Sequence, residues 1–296
     1  MAPGMTIEER MQAGDFEGAL AMLTEQNATG KADPGQVLME FNLQVRLQRF
    51  DAAAKSIRRV MELAPHVANN MKELEELARA EQLATERLTN PAVAGKRSGI
   101  GIPPPFAMAY VKAAVQHAQK DHAGAAATLE EAKAATPKTA GTLTWRNGQT
   151  AKFIDICDSD DLTGPILPCY DGATVVDLPY SQLQSVTFGD SKTSFDVIWL
   201  PAEIVPVTGK PFFARVPALH LGAGVAQMSN IRLGQMTLWD RSAGYAQASG
   251  QRDIKFWKPG MSMVGILQIR RIALDNAPVQ TAPVPEKKGF WKKLLS

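Results

Sequence analysis

Apolar positions recur at helical spacing through the first part of the chain, from Thr6 to about Thr136. Met39, Leu43 and Leu47, for example, stand four residues apart and therefore share one helix face. Alanine, leucine, glutamate and lysine dominate this stretch, and β-branched residues are sparse. The pattern predicts that residues 1–136 form a helical domain.

A short motif repeats within these predicted helices. Residues 15–20 are echoed by residues 49–54, which aligns Phe16 with Phe50 at a separation of 34 residues. That separation is the tetratricopeptide (TPR) period, and residues 122–126 resemble a third copy. An alanine-rich antiparallel bundle is the alternative explanation. Both predict packed helix pairs that leave a groove for a partner's helix.

The pattern changes after Pro137 to short runs of β-branched and aromatic residues separated by Gly, Pro and Asp, which is typical of strands. Turn signals at 147–148, 171–172 and 208–209 favour antiparallel connections. The predicted fold class is therefore α+β, with a TPR-like helical region followed by a compact, mostly antiparallel strand-rich domain at 137–275. The predicted strands are Ala151–Ile156, Thr174–Leu178, Leu183–Phe188, Asp196–Leu200, Pro211–Val216 and Val264–Ile272.

Glycine and proline interrupt the helical half at residues 90–105, which predicts an exposed connection. Gly99 and Gly101 do not form a dinucleotide-binding fingerprint, because no strand precedes them and the prolines at 103–105 would break the helix that such a site requires.

Composition and charge exclude several classes of protein. The 32 basic residues nearly balance the 30 acidic ones, so the whole chain offers no electrostatic argument for a nucleic-acid partner. The two cysteines, Cys157 and Cys169, are too few for a disulfide framework or a thiolate zinc site, and they fit a reducing compartment. No signal peptide or membrane span is recognisable. We therefore expect a cytoplasmic protein.

Candidate catalytic and metal-binding chemistry is weak. The cluster Asp155, Asp158, Asp160 and Asp161 lacks the glycine and the closing glutamate of a calcium loop, so a turn is favoured over a metal-dependent hydrolase. The histidines form no triad or zinc signature, and we predict no catalytic residue, metal or cofactor and no enzymatic activity. The four histidines are His66, His117, His122 and His220.

A proline-rich linker and a basic aromatic tail occupy residues 276–296. Such a tail suits an anionic membrane surface or an acidic protein groove. This gives an alternative function, a membrane-peripheral TPR-type scaffold, and membrane contact is expected only through this tail. Its candidate contact residues are Lys287, Lys288, Phe290, Trp291, Lys292 and Lys293.

The strand-rich half resembles a known family. Residues 153–167 read FIDICDSDDLTGPIL, residues 178–186 read LPYSQLQSV and residues 197–204 read VIWLPAEI. Together these segments resemble the ImpE/TagJ (SciE) family, in which an aspartate-rich strand end precedes a Gly-Pro-x-Leu step and a Trp-x-Pro-Ala step. The resemblance extends over about residues 6–274, although the tail and the Gly/Pro-rich connection depart from the family pattern.

This resemblance implies a non-enzymatic accessory or adaptor protein of type VI secretion, a contractile injection machine associated with virulence. Proteins of the family bind the N-terminal helix of the small sheath subunit, TssB, and are linked to sheath handling alongside the ClpV ATPase. The expected partner is therefore that helix, with a ClpV-like ATPase as an indirect partner.

Three residues are the candidates for partner binding. Trp199 and Pro201 form an aromatic-proline step that can supply an apolar anchor, and Glu203 can orient a basic partner residue. A core tryptophan followed by a strand-end turn is the alternative explanation of the same residues.

Overall fold

The computed structural model describes residues 5–29, 32–258 and 260–276. Helices occupy the first half and strands the second, which confirms the α+β prediction. The helices are α1 (Ile7–Gln12), α2 (Phe16–Thr29), α3 (Pro34–Arg46), α4 (Phe50–Leu63), α5 (Ala68–Glu86), α6 (Pro91–Ala94), α7 (Pro105–Ala118), α8 (His122–Ala135) and α9 (Ser229–Arg232).

The repeat motif marks helix starts: α2, α4 and α8 begin at Phe16, Phe50 and His122. Each follows a three-residue turn whose middle residue is left-handed, with φ of 73° at Gly14, 56° at Gln48 and 64° at Lys120. In all three turns the last residue donates its backbone N–H to the carbonyl five positions earlier, at 2.8–2.9 Å. These are Schellman caps, so the three helix pairs share one backbone design.

The strands form three antiparallel sheets. The largest has eight strands in the order β2-β1-β13-β6-β7-β8-β4-β5, and the others are β12-β11-β3 and β10-β9. The strands are β1 (Gly141–Trp145), β2 (Thr150–Phe153), β3 (Asp155–Asp158), β4 (Ile166–Asp171), β5 (Thr174–Pro179), β6 (Leu183–Phe188), β7 (Trp199–Pro206), β8 (Phe212–Pro217), β9 (Thr237–Asp240), β10 (Gln247–Gly250), β11 (Asp253–Lys258), β12 (Gly260–Gly265) and β13 (Ile269–Leu274).

The predicted strands are confirmed at β5, β6 and β8 and shifted elsewhere. The predicted strand Ala151–Ile156 is wrong as one unit, because the chain leaves the large sheet at Ile154, where the backbone N–H donates to the carbonyl of Trp257 in the smaller sheet. The prediction for Asp196–Leu200 started too early, since β7 begins at Trp199 after a turn capped by Asp196. The predicted strand from Val264 contains a short 3-10 turn before β13.

Four apolar clusters form the core, and three of them combine helices with the strand-rich half. Helices α3, α4 and α5 pack on Tyr170 and Trp199, α7 and α8 pack on Ile166 and Tyr245, and α2 and α3 pack on Leu233. The fourth cluster fills the interior of the sheets. The helices therefore use the sheet as part of their own core.

A segment between α6 and α7, residues 95–104, is exposed as predicted and crosses the outer edge of the large sheet. Ser98 forms a parallel bridge with Val176 of the edge strand β5, and its carbonyl accepts from the backbone N–H of Asp177 at 2.8 Å. Farther along, Gln182 Nε2 donates to the carbonyl of Ile102 at 2.9 Å. We call residues 95–104 the strap.

Candidate partner-binding surface

One aromatic side chain of the large sheet is exposed to solvent: Phe213 of β8 is 79% exposed. Side chains alternate between the two faces of a strand, and Phe213 is paired with Glu203 of β7 while Arg215 is paired with Pro201. The four side chains therefore share one face of the sheet. Two of the three predicted binding residues, Pro201 and Glu203, belong to this face.

Helix α5 lies beside this face and leaves a groove against it. The groove consists of two depressions of about 290 and 460 Å³, and Glu73, Leu77 and Arg215 line both. Pro201 and Phe213 line the smaller depression, which opens onto the sheet. We call these two depressions together the α5–β8 groove.

Arg215 divides the groove. Its Nη2 lies 2.7 Å from Glu73 Oε1 and its Nη1 lies 3.0 Å from Asp196 Oδ1, so it ties α5 to the sheet and to the turn before β7. Burial alone would raise the pKa of Asp196, but hydrogen bonds from Thr193 and Lys192 and the charge of Arg215 hold that pKa below its ordinary value. Asp196 is therefore a carboxylate at neutral pH.

Trp199, the third predicted residue, lines the larger depression but is only 1% exposed. Its ring stacks on Phe195 with centroids 6.4 Å apart, and its Nε1 donates to Glu81 Oε2 at 3.1 Å. The same carboxylate oxygen accepts from Tyr170 Oη at 2.8 Å. In this conformation Trp199 is part of the core that holds the groove in place, which is the alternative that the sequence left open.

The rim of the groove is acidic. Glu73, Asp171 and Asp196 line its depressions and Glu203 stands next to them, whereas the basic residue among those lining it is Arg215. Opposite charges at the edge of an interface steer association and fix orientation. An apolar ring with carboxylates around it suits an amphipathic segment that carries basic side chains.

The aspartate cluster forms a strand end and a turn, as predicted, and Asp158 within it is buried. Asp158 Oδ1 accepts from the N–H of Asp160, and Asp160 accepts from the N–H groups of Leu162 and Ala248, all at 2.8–2.9 Å. Asp158 also forms a buried ion pair with Arg252. Burial, with the neighbouring charge of Asp158 added, raises the pKa of Asp160 to about 7.

Ser159 and His220 meet beside this ion pair, at 3.2 Å between Oγ and Nε2. Asp158 Oδ1 lies 3.9 Å from the same Nε2. In a hydrolytic triad the carboxylate orients the imidazole through the other ring nitrogen, and the serine is open to substrate. Here all three residues are at most 4% exposed, and burial lowers the pKa of His220 well below its ordinary value. The arrangement is that of a buried structural contact.

The fold brings together two histidines that are merely near each other in sequence. His117 Nδ1 and His122 Nδ1 lie 2.7 and 3.3 Å from Tyr245 Oη, which links α7 and α8 to the strand-rich half.

Burial raises the pKa of the Cys157 thiol to about 12, which removes it as a nucleophile.

Two further observations concern the described part of the chain. In residues 5–29, 32–258 and 260–276, no group of three or more His, Cys, Asp or Glu side chains is placed to hold a metal ion. Over the same residues, no helix has the length and apolar character needed to cross a bilayer. The basic aromatic tail at 287–293, a candidate contact segment, lies outside the described residues.

Sequence reasoning missed Phe213, Arg215 and Glu73, which form the groove together with the predicted residues. A signal for two of them was present, because alternation along the predicted strand Pro211–Val216 places Phe213 and Arg215 on one face. The contribution of Glu73 could not be found in this way. Glu73 is 142 residues from Arg215 in sequence, and the two meet only because α5 packs against the sheet.

These features define a class of protein: an α+β fold in which TPR-like helix pairs pack on an antiparallel sheet and leave a groove between a helix and the sheet. Comparison with known proteins specifies it further. Residues 150–273 match the family described as ImpE protein. This match confirms the resemblance of the strand-rich half to the ImpE/TagJ family that the sequence indicated.

One curated relative and one solved structure are similar to this chain. The chain is 26% identical over 239 residues to the type VI secretion system accessory component TagJ of Pseudomonas aeruginosa, covering 79% of this chain and 81% of TagJ. It also resembles the crystal structure of protein VPA1032 from Vibrio parahaemolyticus, with a TM-score of 0.78, 14% identity, and coverage of 90% of this chain and 97% of the other. At that identity the second likeness concerns the fold alone.

Proposed function

We propose that this protein is a non-enzymatic, cytoplasmic accessory component of a type VI secretion system. Its similarity to TagJ over most of both chains supports the role. The observation that carries the molecular part of the proposal is the exposed ring of Phe213 in the α5–β8 groove. A binding protein needs shape, apolar anchors and matching charge, and the groove offers all three.

The partner that fits the proposal is a helix of the small sheath subunit. An amphipathic helix lays apolar side chains into a groove at intervals of three and four residues and turns its polar face to solvent. In the α5–β8 groove those anchors would cover Phe213 and the partly buried Leu74, and basic residues at their edges would approach Asp171 and Glu203. A ClpV-like ATPase would be reached only indirectly, through the sheath.

The experiment is calorimetry of the full chain against the cognate small sheath subunit, with and without its N-terminal helix. We expect binding that requires this helix. A Phe213→Asp variant should weaken it about 30-fold or more, since a central aromatic anchor contributes about 2 kcal/mol or more. Phe213 is largely exposed, so the variant should unfold at the same denaturant concentration as the wild type.

The matched control is Leu238→Asp, which places the same charge on an apolar residue that is 48% exposed on β9, outside the groove. It should bind like the wild type. Equal loss in both variants would remove the groove from the proposal, and absence of binding to the sheath subunit with its helix intact would remove the partner.

A further inference from the structure

The strap covers a second concavity, on a different part of the molecule from the α5–β8 groove. Under residues 95–104 lies an apolar pocket of about 180 Å³ between the strap, helix α7 and the start of β4. Its apolar walls come from Ile100, Met108, Val111, Leu162 and Ile166. The pocket is roofed by a segment that is fastened at Ser98 and Ile102.

A smaller cavity of about 90 Å³ continues from this pocket toward the protein interior. Leu162, Ile166, Arg97 and Asp177 line both spaces, so they are adjoining parts of one cleft. The lining of the inner cavity adds two further guanidinium groups, those of Arg87 and Arg252. The cleft is thus apolar on the outside and cationic at its inner end.

Arg87 is the residue at the inner end with unused hydrogen-bonding capacity. It is 5% exposed, and its buried Nε has no hydrogen-bond partner among the described residues. Buried guanidinium N–H groups normally find acceptors, because leaving one unpaired forfeits the hydrogen bond that it made to water. The guanidinium of Arg87, which lines the inner cavity, therefore retains a donor that has no partner among the described residues.

Charge at the inner end also favours an anion. Arg87 Nη1 and Arg97 Nη1 lie 3.2 and 3.3 Å from the same Asp177 Oδ2, so two guanidinium groups share one carboxylate. Arg252 is already paired with Asp158 and with the carbonyl of Pro217. One additional negative charge beside Arg87 would balance the excess.

We propose that this cleft binds a small amphiphile with one carboxylate, such as a medium-chain fatty acid. The carboxylate would accept from Arg87 Nε, and the hydrocarbon would lie between Val111 and Ile166 under the strap. The two spaces are smaller than the roughly 300–1,000 Å³ typical of drug-sized ligands, which restricts the occupant to a short chain. This inference is independent of the proposed secretion role.

Octanoate is the probe that tests the proposal, with the full chain in calorimetry and thermal unfolding. We expect one octanoate per chain and a melting temperature that rises with octanoate concentration, because a ligand that binds the folded state stabilises it by mass action. Octanol has the hydrocarbon tail without the carboxylate, and acetate has the carboxylate without the hydrocarbon tail. Both should bind at least 10-fold more weakly.

Two variants locate the site. Arg87→Met keeps most of the apolar stem and removes the guanidinium, and it should weaken octanoate binding at least 10-fold. Val111→Phe fills the apolar pocket without touching any charge and should have a similar effect, which covers the case in which Arg87→Met does not fold. The matched control, Val225→Phe, makes the same change at a residue 48% exposed elsewhere and should bind like the wild type.

Absence of octanoate binding at millimolar concentration, equal binding of octanol, or unchanged binding in Val111→Phe would each overturn the proposal. None of these results would affect binding of a sheath helix at the α5–β8 groove, so the two proposals fail separately.

Discussion

Gln48 and Lys120 carry side chains at a left-handed backbone position, with φ of 56° and 64°. The equivalent position in the first helix pair is Gly14. Residues with a Cβ pay a conformational penalty in this region that glycine does not. Two of the three Schellman turns are therefore built with a residue that opposes their geometry.

Replacing Gln48 by glycine should stabilise the protein by about 0.5–1 kcal/mol, because relief of the left-handed strain exceeds the added freedom of the unfolded chain. Urea unfolding followed by circular dichroism measures this. Lys55→Gly, at an exposed position inside α4, is the control and should cost about 1 kcal/mol. A Gln48→Gly variant that loses as much stability as the control would contradict the interpretation of the turn.

The aspartate cluster shows how far residue-level reasoning reaches. Its short polar side chains and spacing were enough to predict a turn, since such carboxylates accept from backbone N–H groups two residues ahead, as Asp158 and Asp160 do. Its ion pair with Arg252 joins residues 94 positions apart. No local pattern contains that information, because the pair forms only when β3 and β11 are side by side.

At the scale of elements, one carboxylate of helix α5 makes two buried contacts with the sheet, in addition to the ion pair between Glu73 and Arg215. Glu81 Oε2 accepts from both Tyr170 Oη and Trp199 Nε1, and both donors belong to residues that are 1% exposed. Burial raises the pKa of Glu81, and the two hydrogen bonds and the charge of Arg252 act against that rise. The contact positions the same helix that forms one wall of the α5–β8 groove.

Glu81→Ala should destabilise the protein by about 2–3 kcal/mol, because two buried donors lose their acceptor. Glu81→Gln should cost about 1 kcal/mol or less, since its amide oxygen can accept from both donors. Guanidinium unfolding measures the difference, and the exposed Lys72→Ala on the same helix serves as control. Equal losses for Glu81→Ala and Glu81→Gln would show that charge, and not acceptor geometry, holds the helix.

Element prediction succeeded where a local rule decides the outcome. Asn147-Gly148 and Asp171-Gly172 lie between paired strands, and Gly148 and Gly172 have φ of 85° and 54°, the conformation that their turns need. Two of the missed strands, β9 and β10, have four residues each, which is too short for a periodic pattern to identify. Strand order could not be predicted either, because β13 pairs with β1 across most of the strand-rich half.

At the scale of the whole molecule, residues from both 1–136 and 137–275 contribute to all four apolar clusters, so we propose that this boundary divides the chain by type of structure and not by independent stability. Separating the halves would expose Tyr170 and Trp199 to solvent. Ion pairs such as Arg215–Glu73 and Arg87–Asp177 also cross the boundary.

The intact protein should accordingly unfold in one transition, with circular dichroism and tryptophan fluorescence giving the same midpoint. Residues 137–276 expressed alone should unfold at a lower midpoint. Their free energy of unfolding should be lower by several kcal/mol, because the burial that the helices provide is lost. Two separated transitions in the intact chain, or an isolated strand-rich half as stable as the whole, would contradict this.

The eight-stranded sheet ends at β5, and the strap occupies its open side through Ser98 and Val176. An unpaired strand edge is a template for any extended polypeptide, including another copy of the same chain. The strap covers part of the β5 edge through the bridge between Ser98 and Val176. It therefore limits the pairing of β5 with other extended chains and the aggregation that such pairing would start.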